Sequence, residues 1–270
     1  MGILEQLDEP SYGPVICTIM GDAGRGKTTL AATFPKPIFI RAEDGMKSLL
    51  PLVSKKLIEM PKAFPLIQSE QDIFDQLVAL LKEDHNFETV VIDTVSALDA
   101  IFIEELLSKE RPGIGLQQAC GGYGNAKDVL AAKPRRIRKA AGLLRERRGM
   151  NVVFTAHTAT SRVEPPDAEG YTIYTLKMHE KSVAPYVDDV DLVGLLRLET
   201  FVKGKDGEQK RAISDGTRVL ACVAEAASVA KNRLGITDLL TVEEGKNPLA
   251  DYLPKPKAAA GGAKKGVAAK

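Results

Sequence analysis

The residues best suited to chemistry are gathered in Gly21-Asp22-Ala23-Gly24-Arg25-Gly26-Lys27-Thr28-Thr29, directly after the apolar run Val15 to Met20. Glycines at these spacings let the backbone curl until successive N–H groups face one anion, and a helix starting there adds its positive end. A lysine directly after Gly26 can reach the β- and γ-phosphates of a nucleoside triphosphate, while the Thr28 hydroxyl can sit on Mg²⁺. A strand before the loop and an apolar helical run after it supply the context that a phosphate-binding P-loop requires.

Three further groups stand at the ends of apolar runs. Asp93 closes Thr89-Val90-Val91-Ile92, the position of a Walker B acid that holds Mg²⁺ through water or through Thr28. Thr94 follows it, so the carboxylate that polarises water must come from elsewhere. Glu43, after the short strand Ile38-Phe39-Ile40, is the favoured base, with Asp44 its main competitor. His157 ends Asn151 to Ala156, where an imidazole could sense a γ-phosphate and pass that signal into the following loop. In an open parallel sheet, ligands sit outside the carboxyl ends of the strands, so all of these groups should meet in one crevice.

The elements that must position them alternate in type. Strands near Val15, Ile38, Thr89 and Asn151 are separated by helical stretches, including an amphipathic one opened by a capping box at Ser69-Glu70-Gln71-Asp72 and another from Ser96 to Lys109. This order predicts an α/β fold with a mainly parallel sheet covered on both faces. Arg111 to Gly124 reads as a glycine-rich loop, Asn125 to Arg148 as a helix interrupted near Pro134, and Thr158 to Lys177 as a second irregular stretch. Asp191 to Glu199 reads as a strand, and Phe201 to Ile213 as a hairpin turning at Lys205-Asp206-Gly207, so late antiparallel strands are expected. Val229 to Gly235 closes the folded part. Residues 1–252 form one core, after a short lead-in, and 253–270 a disordered tail with five lysines and no acid.

The 270 residues, 44% apolar, suffice for a sizeable core, and a formal net charge of +1 that owes five lysines to the tail leaves the body net acidic. The body is therefore no general polyanion binder. Cys17, Cys120 and Cys222 lack metal-ligand spacing and read as core thiols in a reducing compartment. Without a membrane span or a signal segment, the expected location is the cytoplasm.

Taken together, Gly21 to Thr29, Phe39-Ile40-Arg41-Ala42-Glu43, Val90 to Leu98, Val152 to His157 and Ala230-Lys231-Asn232-Arg233 resemble the RecA-like recombinase ATPases. The pattern is most similar to the short phage-type core-only proteins of the Sak group. That resemblance implies a RecA-type core using ATP and Mg²⁺, with Glu43 activating water and His157 sensing the γ-phosphate. It also implies that Lys231 and Arg233 reach the nucleotide of a neighbouring subunit, in a homo-oligomeric ring or filament with composite sites. The partners it implies are single-stranded DNA, met by two loops, and a single-strand-binding protein; a phage-encoded chain would work in the host cytoplasm. Two departures stand out: His157 replaces a more usual Gln, and the second loop carries Glu164, Asp167 and Glu169 beside Arg162. Hence the first loop with Tyr123, the basic face from Arg135 to Arg148 and the lysine tail are the expected DNA contacts. DNA recombination or strand annealing is the expected task. A hexameric helicase of the same fold is one rival, and a nucleotide-gated loader with little hydrolysis another.

Overall fold

The computed structural model describes residues 13–167, 169–203, 211–213, 216–223 and 228–253. In chain order the strands are β1 (Ile16–Met20), β2 (Pro37–Arg41), β3 (Lys62–Ala63), β4 (Thr89–Asp93), β5 (Asn151–Ala156), β6 (Thr158–Val163) and β7 (Tyr171–Leu176). They continue as β8 (Leu192–Leu198), β9 (Phe201–Lys203), β10 (Arg211–Ile213), β11 (Arg218–Ala221), β12 (Lys231–Asn232) and β13 (Leu240–Thr241). The α-helices are α1 (Lys27–Ala31), α2 (Leu50–Ser54), α3 (Glu70–Lys82), α4 (Val95–Leu107), α5 (Asn125–Arg148) and α6 (Glu180–Val187).

The central sheet runs β13-β11-β8-β1-β5-β4-β2-β3, with β12 also paired to β8. From β8 to β3 every pairing is parallel. The expected late antiparallel strands then share the free edge of β8: β11 takes its carboxyl half and β12 its amino half.

Strand side chains alternate between faces, and the apolar residues divide accordingly. Ile16, Ile40, Ile92, Val152 and Phe154 pack with Ile73, Phe102, Ile137 and Tyr186 on one face. Cys17, Ile19, Phe39, Val91 and Val153 pack with Leu30, Ile236 and Val242 on the other. The central strands β1, β2, β4 and β5 are apolar on both sides because helices or the C-terminal segment cover both. The capping box at Ser69 forms as expected, its hydroxyl accepting from Asp72 N–H at 3.3 Å while the Asp72 carboxylate accepts from Ser69 N–H at 3.0 Å.

Several expectations need correction. The helix after Gly124 is not interrupted: α5 runs unbroken through Pro134. An interior proline costs about 3 kcal/mol, but Leu130, Ile137 and Leu144 are all fully buried at roughly 1.5–3 kcal/mol each, which outweighs it. The stretch from Thr158 is not irregular but an antiparallel hairpin of β6 and β7, paired from Thr158–Leu176 to Val163–Tyr171. Tyr171-Thr172-Ile173-Tyr174-Thr175 is rich in strand formers, and Pro165-Pro166 and Gly170 lie in the connection between the two strands. The fold does not close at Gly235, since Ile236, Val242, Leu249 and Leu253 are buried against the second face. Leu253 therefore belongs to the packed body and not to the tail. Cys17 and Cys222 are buried as expected, whereas Cys120 is exposed. β9 and β10 pair antiparallel as predicted; their connection at Lys205 to Gly207, the lead-in up to Ser11-Tyr12 and the tail beyond Leu253 lie outside the described residues.

Candidate functional site

β1, β2, β4 and β5 end side by side, and the residues that follow them meet at one edge of the sheet. Lys27, buried at 6% exposure, folds back into its own loop and donates to the carbonyls of Gly21 at 2.9 Å and Asp22 at 3.0 Å. Its third contact is His157 Nδ1 at 3.2 Å. An ammonium can only donate, so Nδ1 must accept and Nε2 carries the proton. That N–H points at Glu43, with Nε2 3.3 Å from Oε1. The imidazole is further held by its own backbone, whose N–H donates to Ser96 Oγ at 3.0 Å.

The charges in this chain respond to their surroundings. Hydrogen bonding from His157 holds the Glu43 carboxyl below the usual range despite partial burial, helped by the Lys27 charge and by Thr94. Burial pushes Lys27 down, opposed by Asp93, Glu43 and Asp22. Burial pushes Asp93 up, against the hydroxyls of Thr155 and Thr28. Asp44 is turned away toward Arg41, at 3.5 Å. Of the two competing carboxylates, only Glu43 shares the cluster.

The oxygen donors fit Mg²⁺. Thr28 Oγ1 donates to Asp93 Oδ2 at 2.9 Å. Gly45 passes so close that a Cβ there would lie 3.3 Å from Thr28 Oγ1 and 3.4 Å from Asp93 Oδ2. A hydroxyl and a carboxylate side by side are oxygen ligands of the kind a hard, largely hydrated cation takes.

The rest of the phosphate loop is arranged around this centre. Gly24 and Gly26 adopt positive φ, 74° and 95°. Thr29 Oγ1 donates to Gly26 O at 2.7 Å, Arg25 stands 3.9 Å from Asp22, and Ala23 completes the exposed turn. The Asp22 carboxylate also accepts from Thr158 Oγ1, tying the loop to the first residue of β6.

Lys231 and Arg233 are not brought to this centre. β12 pairs with the amino half of β8, and the Lys231 ammonium donates to Asp188 O while Arg233 lies 3.6 Å from Asp191. Both therefore sit toward the opposite edge, Arg233 beside Arg135, Arg138 and Lys139. The basic face of α5 is also less free than its composition suggests. Arg136 binds Glu70 at 2.7 Å, Arg145 binds Asp191 at 3.1 Å, and Arg138 and Arg148 donate to the carbonyls of Asp189 and Glu83.

Gly45, Ser96 and Thr155 escaped sequence reasoning. Thr155 carried one signal, a hydroxyl within the otherwise apolar run Val152 to Ala156. It is fully buried and donates to Asp93 Oδ1, opposite the oxygen that Thr28 uses. Thr155→Val should leave this carboxylate free to turn and weaken Mg²⁺-dependent nucleotide binding by about tenfold to a hundredfold. Titrating nucleotide with Mg²⁺ and with EDTA checks this; unchanged affinity in Mg²⁺ would show that Thr155 does not orient Asp93.

Among the described residues no helix is long and apolar enough to cross a membrane. No curated protein is detectably similar in sequence. The sequence profile of the family described as AAA domain matches residues 14–234, a span that holds the loop, the strand-end groups Glu43, Asp93 and His157, and β12. With that match over most of its length, the chain belongs to the AAA domain family of P-loop ATPases.

Proposed function

We propose that this protein is a Mg²⁺-dependent ATPase of RecA type that assembles into oligomers on single-stranded DNA, for recombination or strand annealing. The observation that carries the hydrolytic part is the unbroken contact chain Lys27–His157–Glu43 beside the Thr28–Asp93 pair. When bound, Mg²⁺ supplies charge neutralisation at the β- and γ-phosphate oxygens. Lys27 exchanges the carbonyls of Gly21 and Asp22 for phosphate oxygens, which are stronger, charged acceptors. Glu43 takes the proton of the attacking water, and its lowered pKa keeps it ionised for that role. His157 aims the carboxylate through Nε2–H.

Support for assembly comes from the opposite edge. Arg233 shares it with Arg135, Arg138 and Lys139, a cationic end suited to phosphates presented by a neighbouring subunit. Support for DNA comes from exposed aromatics. Tyr123 is 103% exposed with positive φ and glycines on both sides, and Tyr171 and Tyr174 stand exposed on β7. Such rings stack on bases at about 1–3 kcal/mol each.

Glu43→Gln should keep nucleotide binding and slow turnover by roughly 10² to 10⁴. Mixing it with the Lys231→Ala/Arg233→Ala double variant should restore part of the rate, because one supplies the cationic residues and the other an intact site. A full-rate Glu43→Gln protein would remove Glu43 as the base. Recovery no greater than the separate rates, with mixed oligomers present, would remove the trans role. For the DNA task, single-stranded DNA should bind and raise the ATPase rate, and Tyr123→Ala should weaken that binding by roughly five- to a hundredfold. Absence of binding at low salt would overturn the DNA reading while leaving the ATPase reading intact.

A further inference from the structure

β11 is antiparallel to β8, and Arg218 stands opposite Leu198 at the carboxyl end of that strand. This register brings a cation to the phosphate-loop edge from the side of β1 away from Glu43 and His157. Its guanidinium lies directly against the loop: a Cβ on Gly26 would be 2.5 Å from Arg218 Nη1 and 2.8 Å from Thr29 Oγ1. With φ at 95°, this position favours glycine, and any side chain there would also have to displace the Arg218 guanidinium. Among the described residues no carboxylate or carbonyl accepts a hydrogen bond from this guanidinium; nearby Glu244 feels its charge but is bound by Lys55 at 2.8 Å. The Arg218 carbonyl is itself fixed, accepting from Val242 N–H at 2.8 Å. A cavity of about 190 Å³ opens there, lined by Thr29, Thr33, Ser48, Arg218, Glu243 and Glu244 among others.

The nucleotide reading proposed above places the terminal phosphate at Lys27, Glu43 and His157. A triphosphate anchored there has to send its other end past Gly26 and Thr29. That path leads to Arg218 and the cavity. We propose that Arg218 receives the nucleoside end of the bound nucleotide, its planar guanidinium stacked on the base beside the hydroxyls and carboxylates of the cavity. A guanidinium stacks on any aromatic face and is weakly hydrated, so it supplies affinity at little desolvation cost. Stacking reads no base edge. The contact therefore contributes equally to adenine and guanine nucleotides.

The test is titration calorimetry of the full chain with Mg²⁺-ADP, Mg²⁺-GDP and Mg²⁺-tripolyphosphate. Arg218→Gln should weaken both nucleotides by roughly tenfold and leave tripolyphosphate binding unchanged. Arg218→Lys, which keeps the charge without the plane, should show the same loss. It also decides the matter should the glutamine variant not fold. Unchanged ADP binding in either folded variant, an equal loss for tripolyphosphate, or full recovery by lysine would overturn the proposal. A wild-type protein that binds neither nucleotides nor tripolyphosphate would instead overturn the nucleotide reading beneath it.

Discussion

The site depends on one buried ammonium. Removing a lysine charge from water costs several kcal/mol unless its donors are met, and Lys27 meets them with the carbonyls of Gly21 and Asp22 and with His157 Nδ1. Two of those contacts hold the loop curled around the space its phosphates should fill. The third fixes the imidazole proton on Nε2, and thereby directs it at Glu43. A ligand that draws Lys27 outward loosens the restraint on both neighbours together.

Much of this centre was legible in the sequence because it lies where strands end. Asp93 and His157 follow runs of apolar residues whose burial fixes strand position, and Glu43 sits two residues past β2, so convergence follows from topology alone. What could not be read depends on spatial neighbours. Thr155 matters because it faces Asp93 across adjacent strands, Gly45 because its missing side chain leaves room beside Thr28, and Arg218 because an antiparallel strand returns along β8. The hairpin of β6 and β7 was hidden by Pro165-Pro166 and Gly170, which mark the connection and drew attention from the strand formers around them. Pro134 misled for the opposite reason. A local penalty was outweighed by burial on α5 that only the packed structure displays.

The two edges of the sheet have different character. The carboxyl edge gathers carboxylates, hydroxyls and one buried lysine around the phosphate loop. The amino edge gathers Arg135, Arg138, Lys139 and Arg233, held in part by Asp188, Asp189 and Asp191. Several arginines that composition alone would assign to a polyanion instead tie α5 to its neighbours. In the proposed assembly, an anionic ligand at one edge would meet the cationic end of a neighbouring subunit.

The carbonyls of Gly21 and Asp22 hold the Lys27 ammonium in the place of phosphate oxygens and should yield it to them. Titration calorimetry of the wild-type chain and Lys27→Ala with a Mg²⁺-bound, non-hydrolysable ATP analogue tests it directly. The loop then has no other ammonium to offer, so affinity should fall by roughly ten- to a hundred-and-fifty-fold, the loss expected for a charge-assisted contact of 1.5–3 kcal/mol. A folded Lys27→Ala protein that binds the analogue as tightly as the wild type would contradict the account.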